Sequence, residues 1–321
     1  MTPEGSLTLP ATPADPDKFR DPDVTADGQE RAVVALTRLK TLWFNTGSLC
    51  NITCRNCYMD SSPTNDALAY LTLDDVKRYL DEVETEGMPV EEIAFTGGEP
   101  FMNRELPDMM AEALARGYRV LVLTNAMKPL LNKRQRLAEL YERHGQAVSL
   151  RVSIDHHTRA KHEAIRGAGS WAPMIDGLRW LAAEGFDIAV AGRTCWDETE
   201  AESREGYRRL FAAENIPVDA RDMARLVLFP EMDTAKDVPE ITIHCWDILG
   251  IKPESIMCAT SRMVVKRRGS EAPAVVPCTL LPYDETFELG TALADSSTQV
   301  RLNHPHCAKF CVLGGASCSP E

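Results

Sequence analysis

Three closely spaced cysteines are the residues of this sequence best suited to chemistry. Cys50, Cys54 and Cys57 lie in the segment CNITCRNCY with C-x3-C-x2-C spacing, directly after an apolar run at 39–47. Three thiolates on one loop can ligate three irons of an iron–sulfur cube and leave the remaining iron open to an outside ligand. A zinc ion completed by a distant Cys or His is the alternative for the same spacing.

A second motif, TGGEP at 96–100, follows the next apolar run. Gly97 and Gly98 permit a ligand to approach the backbone closely, and the Glu99 carboxylate can accept a hydrogen bond from an ammonium group. On its own the motif is more typical of an ordinary strand-to-loop turn. Its place one strand after the cysteines, at the same expected sheet edge, favours a shared site.

The elements that must position these motifs follow a strand–helix rhythm. A capping box at Thr72 and Asp75 begins the first helical pattern. The further helical patterns cover 104–116, 128–143, 171–184 and 199–214. Short apolar runs typical of strands occur at 39–47, 91–98, 118–125, 148–155, 186–194 and 223–230.

This alternation predicts an α/β fold with a parallel sheet and right-handed crossovers. Near-continuous apolar runs such as VLVL in 118–125 indicate burial on both faces of the sheet. Six strand–helix units are too few for the usual eight-unit barrel, so we expect an incomplete (β/α)6 TIM-like barrel. The chemistry should then lie at the carboxyl ends of the strands.

Charge and composition exclude several classes of protein. The 321 residues include 35 Lys and Arg against 48 Asp and Glu, a net charge of −13, which argues against nucleic-acid binding through phosphate neutralisation. No apolar run approaches the ~18 residues that a membrane span needs, and the N-terminus lacks a secretory signal. We therefore expect a cytoplasmic protein whose ten cysteines are reduced and available to metals.

Three regions are expected along the chain. Residues 1–30 hold five of the 20 prolines and a net charge of −5, which predicts a flexible N-terminal arm. Residues 31–235 carry the strand–helix rhythm of the partial barrel. Residues 236–321 hold six cysteines and no long helical pattern, which predicts a smaller metal-stapled region.

From about 40 to 230 the sequence resembles the radical S-adenosylmethionine enzymes, in its cysteine triad, its GGEP motif and its six strand–helix units. The resemblance implies a 4Fe-4S cluster on Cys50, Cys54 and Cys57, with S-adenosylmethionine chelating the open iron. It further implies that the methionine ammonium is received by Gly97, Gly98, Glu99 and Pro100. Reductive cleavage, with an electron from a reductant such as flavodoxin or ferredoxin, then yields a deoxyadenosyl radical that abstracts a hydrogen atom from a substrate.

Further positions are assigned roles by the same resemblance. Ser153 and Asp155 are similar to residues that hold the ribose hydroxyls, although a strand-end Asp also caps turns. Asn125 is expected in the same cleft. Arg193 is expected either to pair with the methionine carboxylate or to form a structural ion pair. An aromatic residue that packs on adenine often precedes the third cysteine in this family, whereas here Asn56 stands there and Tyr58 follows.

The C-terminal cysteines resemble the auxiliary-cluster extensions of this family, called SPASM and its shorter Twitch version. Seven cysteines remain outside the triad and two clusters ligated only by cysteine need eight, so one auxiliary Fe-S cluster is favoured. A structural zinc site is the alternative, and Cys195 and Cys245 are interpreted as small hydrophobes. The expected ligands are Cys258, Cys278, Cys307 and Cys311, with Cys318 as the substitute.

The residues leave two classes of function open. The favoured one is a radical S-adenosylmethionine oxidoreductase or maturase that carries out an oxidative modification of a peptide or small molecule, assisted by the auxiliary cluster. The alternative is a non-catalytic iron–sulfur or zinc protein for electron transfer or partner binding. Glu231 and Asp233 are candidate catalytic carboxylates at the barrel mouth. His156 and His157 are expected to point apart and bind no metal.

Overall fold

The chain folds around one long sheet. The computed structural model describes residues 13–231, 233 and 235–318, so part of the expected N-terminal arm lies outside the described residues. The strands are β1 (Val33–Val34), β2 (Thr41–Asn45), β3 (Glu92–Thr96), β4 (Arg119–Thr124), β5 (Val148–Ser153), β6 (Asp187–Arg193), β7 (Leu226–Phe229), β8 (Ser261–Val265), β9 (Ala274–Val276) and β10 (Val300–Arg301).

Eight of the strands form the main sheet, in the order β7-β6-β5-β4-β3-β2-β8-β9. Strands β2 to β7 are parallel to one another, and β8 is parallel to β2. Strand β9 is antiparallel to β8. Each of the six apolar runs in the sequence contains one of the strands β2 to β7, which confirms the expected α/β fold. Among the described residues the sheet is open, because β7 and β9 form its two edges.

The helices are α1 (Leu73–Thr85), α2 (Leu106–Ala115), α3 (Lys128–Leu131), α4 (Arg134–His144), α5 (Arg159–Arg166), α6 (Trp171–Ala183), α7 (Glu200–Glu214) and α8 (Cys245–Leu249). The capping box expected at Thr72 is formed, and Thr199 forms a second one before α7. The helical pattern at 128–143 is divided by a tight turn in which the Lys133 amide donates to the Leu130 carbonyl at 2.8 Å. No helix of the described part of the chain has the length and apolar character that a bilayer crossing requires.

Successive side chains of a strand point to opposite faces of the sheet, and this divides the buried hydrophobic residues into two cores. Side chains such as Phe44, Phe95 and Val152 lie on the outer face of the sheet and pack against the helices. Trp43 and Leu121 lie on the inner face and pack against the C-terminal region. The inner face is therefore the one on which a cavity can form beneath the C-terminal segment.

The segment 13–30, part of the expected N-terminal arm, contacts the rest of the chain. The Glu240 carboxylate, whose side chain is 4% exposed, accepts hydrogen bonds from the Phe19 amide at 2.7 Å and the Ala26 amide at 2.6 Å. It also accepts from the guanidinium of Arg31, a residue that is only 1% exposed. Polar bonds to one acid thus connect the segment to the chain, and the flexibility of the arm stays a prediction.

The C-terminal region is continuous with the sheet. Strand β8 pairs directly with β2, and β9 extends the sheet by a hairpin whose turn contains Lys266. Lys266 contacts the Asp75 carboxylate at 3.1 Å, so this turn is tied to α1. The division of the chain at residue 235 into a barrel and a cysteine-rich region stays a prediction.

Helix α5 carries a buried histidine, His162, and its protonation tests how its ring is packed. Neither ring nitrogen of His162 has a hydrogen-bond partner among the described residues, and the ring lies edge-on to Trp171 at 5.4 Å. Burial, aided by the charge of Arg166, lowers the pKa of His162 to about 4. A lowered histidine pKa means that the folded state prefers the neutral ring.

We expect the stability of the chain to fall as the pH decreases from about 6.5 towards 4, because the unfolded chain takes up a proton on His162 before the folded one does. In the variant His162→Phe, the part of this loss of stability at acidic pH that is due to His162 should disappear. Denaturant unfolding of both proteins across this range measures the difference. Parallel pH profiles for the two proteins would contradict the packing of His162 described above.

Candidate functional site

A large cavity opens at the carboxyl ends of the parallel strands. It encloses about 1010 Å³ including its open mouth. Residues from the loops after β2 and β3 and from the ends of β4 to β7 line it together. The cavity brings together ten of the residues singled out in the sequence: Cys50, Cys54, Cys57, Tyr58, Gly97, Gly98, Asn125, Ser153, Asp155 and Arg193.

The three cysteines of the triad reach this cavity on the loop that follows β2. All three are free thiols. Burial raises the pKa of Cys50 to about 12 and that of Cys54 above its usual range. The thiolate forms therefore need a compensating cation, and a donor set of three sulfurs that line one cavity fits a metal cluster with one open position.

Gly97 and Gly98 bring their segment against the start of the cysteine loop. A Cβ on Gly98 would lie 2.2 Å from the Leu49 carbonyl oxygen, and one on Gly97 would lie 2.6 Å from that of Gly47. Gly97 also has φ +139°, a conformation that favours glycine. The missing side chains thus serve contact between two backbone segments, in addition to any approach by a ligand.

Glu99 and Pro100 lie outside the cavity lining, which differs from the expected contact between Glu99 and a ligand ammonium. The Glu99 carboxylate is 2% exposed and accepts from the Thr124 hydroxyl at 2.8 Å and the Asn125 amide at 2.8 Å. It also accepts from the Phe101 amide at 3.2 Å. Burial raises the pKa of Glu99 to about 7. Its bonds tie the end of β3 to the end of β4, which explains why it turns away from the cavity.

Asp155 is the centre of a charge cluster in the cavity wall. Its carboxylate accepts from Arg166 at 2.8 Å and lies 3.3 Å from Arg193. Although burial alone would raise the pKa of Asp155, the two guanidinium groups hold it below its usual range. Arg193 thus forms an ion pair in the cavity wall, and its pairing with the methionine carboxylate stays a prediction.

The remaining predicted contacts occupy the rim and wall. The Asn125 side chain donates to Asn51 at 2.9 Å, next to the cysteine loop. Ser153 lines the wall two residues before Asp155 on the same strand face. Asn56, which stands where an aromatic residue is usual in the resembling family, donates to Glu231 at 2.5 Å.

Glu231 and Asp233, the candidate catalytic carboxylates, do not line the cavity. Glu231 accepts from Asn56 and lies 3.8 Å from Arg193, so it ties the end of β7 to the cysteine loop. Asp233 accepts from the Ala235 amide at 3.0 Å and lies 3.7 Å from Lys236. Both acids are thus engaged in contacts outside the cavity lining.

A second, smaller cavity of about 330 Å³ lies in the C-terminal region. It is lined by the four expected auxiliary ligands, Cys258, Cys278, Cys307 and Cys311. The last two lie on a π-helical turn, Cys307–Val312, a form that is rare and concentrated at functional sites. Cys318 instead lines the large cavity, where its sulfur accepts from the Thr279 hydroxyl at 3.3 Å.

The adjacent histidines do not point apart as expected, since their ring centroids are 4.0 Å apart. With Glu198 they form a group whose ligand atoms lie within 4.8 Å of one another. The Thr158 amide donates to His156 Nδ1, so the neutral ring carries its proton on Nε2 and donates it to Glu198 at 3.0 Å. The protonated Nε2 atom of His156 therefore has no lone pair to offer a metal ion. Because Lys161 is also bonded to Glu198, the group is a hydrogen-bond network.

Two charged residues that line the cavity were not predicted from the sequence. Arg166 ends α5, a helix that the apolar pattern did not reveal, and its contact with Asp155 depends on that helix. Arg151 lies within an otherwise apolar strand and lines the same cavity. The signal for Arg151 was available, because a charged residue in the middle of a buried strand requires a partner or a function.

The charge cluster is testable by substitution. We expect Asp155→Asn to destabilise the protein by about 3–5 kcal/mol, because Arg166 and Arg193, whose side chains are only 12% and 11% exposed, lose their shared anion. The matched control is Asp187→Asn, which removes the partner of the 41%-exposed Arg225 and should cost about 1 kcal/mol or less. Urea unfolding measures both values, and equal losses would show that the cluster contributes no more than a surface pair.

Known proteins resemble parts of this chain. The antilisterial bacteriocin subtilosin biosynthesis protein AlbA of Bacillus subtilis is 29% identical over 143 residues, covering 44% of this chain and 30% of that protein. Fe-coproporphyrin III synthase of Methanosarcina barkeri is 28% identical over 147 residues, covering 46% of this chain and 35% of the synthase. These alignments span about a third of the length of the curated relatives.

The fold is also found among solved structures. The crystal structure of Streptococcus suis SuiB bound to S-adenosylmethionine has a TM-score of 0.58 to this chain, with 10% sequence identity, and covers 79% of this chain and 63% of SuiB. At this identity the likeness concerns the fold. The family model described as Radical SAM superfamily matches residues 44–207, just over half of the chain and the part that holds the cysteine triad. The chain therefore belongs to the Radical SAM superfamily.

Proposed function

We propose that this chain cleaves S-adenosylmethionine reductively and uses the product to remove a hydrogen atom from a substrate held in the large cavity. The carrying observation is that the three triad cysteines, the Gly97-Gly98 segment and the Asp155 cluster line one cavity. Each of these features comes from a different strand end. Their convergence supports a common ligand rather than separate structural roles.

The cluster and S-adenosylmethionine supply the chemistry: one electron from a reductant breaks the carbon–sulfur bond, methionine leaves, and the deoxyadenosyl group takes a hydrogen atom from the substrate. Cys50, Cys54 and Cys57 would hold the iron. The apolar side chains of Phe229 and Phe310, which line the cavity, exclude water from the reacting groups.

The Asp155 cluster supports a role in orienting S-adenosylmethionine. An ionised carboxylate offers about four acceptor positions, and the two arginines do not use all of them. We assign ribose contacts to Ser153 and Asp155, with Arg166 and Arg193 positioning the carboxylate. Tyr58, which also lines the cavity beside the triad, is assigned to the adenosyl group.

We further propose that the C-terminal cavity holds one auxiliary iron–sulfur cluster. In the described residues, no three of its cysteine sulfurs lie within 4.8 Å of one another. One tetrahedral zinc ion with bonds of ~2.3 Å would require sulfurs about 3.8 Å apart, so the spacing favours a larger group. Burial raises the pKa of Cys278 to about 12, and a metal would supply the charge that its thiolate needs.

A buried cation beside this cavity supports an anionic occupant. Arg262 is 0% exposed, and its guanidinium donates to the backbone carbonyls of Cys258 at 2.6 Å and Ser296 at 2.8 Å. No carboxylate of the described part of the chain lies within 4.0 Å of it. A cluster on four thiolates carries net negative charge and would balance this cation.

For the substrate, we propose a peptide or a small molecule undergoing an oxidative modification. SuiB has also been solved bound to its precursor peptide SuiA, and the name Fe-coproporphyrin III synthase indicates a small-molecule product. Both kinds of relative share the fold or sequence of this chain. We also propose a cytoplasmic location and a flavodoxin or ferredoxin as the electron donor.

The first test is release of deoxyadenosine. Anaerobically reconstituted, reduced protein should release deoxyadenosine from S-adenosylmethionine, and Cys50→Ala should reduce the release to background because the cluster loses a ligand. Cys245→Ala is the matched control, since Cys245 lies outside both cavities. Chromatography of the reaction mixture measures the product. A wild-type protein that carries its iron and is reduced, yet releases none, would leave only the electron-transfer or partner-binding alternative.

The second test is metal content. Wild-type protein should bind about eight irons, and Cys278→Ala about four, because one of two four-iron clusters is lost. Cys318→Ala should retain all of them, since Cys318 faces the other cavity. Iron and sulfide assays after reconstitution provide the numbers. Loss of iron from Cys318→Ala, or zinc in place of the second cluster, would refute the assigned ligand set.

A further inference from the structure

Arg151 lies deeper in the large cavity than Ser153 and Asp155, which follow it along the chain. It stands on β5 two residues before Ser153 and four before Asp155, so the three side chains share the inner face. A strand rises ~3.3 Å per residue, which places Arg151 about 7 Å further from the mouth than Ser153. Arg151 is 2% exposed and lines the cavity.

The guanidinium of Arg151 is incompletely bonded. Its Nη1 donates to the Cys318 carbonyl oxygen at 2.6 Å, and its Nε has no hydrogen-bond partner among the described residues. No described carboxylate lies within 4.0 Å of it, whereas Arg166 and Arg193 both contact Asp155. A buried cation without a paired anion is costly unless a ligand supplies one.

The surroundings of Arg151 are apolar. In the sheet register it stands between Leu123 on β4 and Ala189 on β6, and Phe310 lines the same cavity. The titratable groups that influence it electrostatically are Cys318, Glu92 and Tyr58. Glu92 is the carboxylate among them, and it is itself buried at the amino end of β3, where burial raises its pKa. An anion entering the cavity would therefore meet Arg151 in a setting of low polarity, where the attraction is strong.

We propose that Arg151 binds a carboxylate group of the substrate and thereby fixes the substrate at the inner end of the cavity. This inference rests on the proposed function, because it assumes that the space between Arg151 and the triad holds the substrate. A guanidinium matches a carboxylate in shape and charge. A phosphate would bring a second negative charge, and the other two cavity arginines are already paired with two acids, Asp155 and Glu231.

The experiment measures binding without turnover. Reconstituted holoprotein saturated with S-adenosylmethionine, and left unreduced, is titrated with butyrate and with its neutral isostere butyramide by ligand-observed NMR. Saturation with S-adenosylmethionine prevents the carboxylate from occupying the open iron. Methylphosphonate serves as the probe for a phosphate-type group.

We expect butyrate to bind at least about tenfold more tightly than butyramide, as a charge-assisted hydrogen bond worth about 1.5–3 kcal/mol implies. Arg151→Met should abolish this preference, and Arg151→Lys should retain part of it, because the lysine keeps the charge but loses the planar fork. Iron content and thermal unfolding of each variant show whether the fold around Cys318 persists. Deletion of residues 319–321 should leave the preference unchanged.

Several outcomes would overturn the assignment. Equal binding of butyrate and butyramide by the wild-type protein, or a preference that survives in a folded Arg151→Met protein, would exclude Arg151 as the carboxylate site. Tighter binding of methylphosphonate would replace the carboxylate by a phosphate. If deletion of residues 319–321 increased the affinity for butyrate, the carboxylates of that segment, rather than a substrate, would be assigned to the site. Since deoxyadenosine release is assayed separately, a failure here leaves the proposed function standing, and the reverse also holds.

Discussion

The contact between two backbone segments determines where the chemistry of this protein takes place. The Gly98 amide donates to the Gly47 carbonyl at 2.8 Å, and the Glu99 amide donates to that of Leu49 at 3.1 Å. Only glycine allows this approach, because any side chain at position 98 would overlap the Leu49 carbonyl. The contact fixes the start of the cysteine loop against the end of β3, so residues of both loops line the same cavity.

Charge distribution is the second organising feature. The chain as a whole carries a net charge of −13, yet buried arginines gather at its two cysteine-lined cavities. Arg166 and Arg193 are balanced by Asp155 and Glu231, whereas Arg151 and Arg262 have no carboxylate among the described residues within 4.0 Å. In an acidic protein, buried cations of this kind favour anionic ligands, which we propose to be a substrate carboxylate at one cavity and a thiolate-bound cluster at the other.

Much of the fold was predictable because strand–helix alternation and capping residues are local signals, as the positions of β2 to β7 and the Thr72 capping box show. The grouping of the triad with the glycine motif followed from the rule that carboxyl ends of parallel strands meet. The orientation of Glu99 was not predictable, because it depends on hydrogen bonds to β4, a separate strand. Likewise, the contact of Arg166 required an eight-residue helix that buries only His162 and Ile165, and the contacts of residues 13–30 required an acid at 240.

The most direct measurement of the central claim is electron paramagnetic resonance of the reduced Cys278→Ala protein, which isolates the cluster assigned to Cys50, Cys54 and Cys57. The account predicts a reduced 4Fe-4S signal whose g-values shift when S-adenosylmethionine is added, because the cofactor binds the open iron. A signal that is unchanged by S-adenosylmethionine, or a protein that holds only zinc at the triad, would contradict the account.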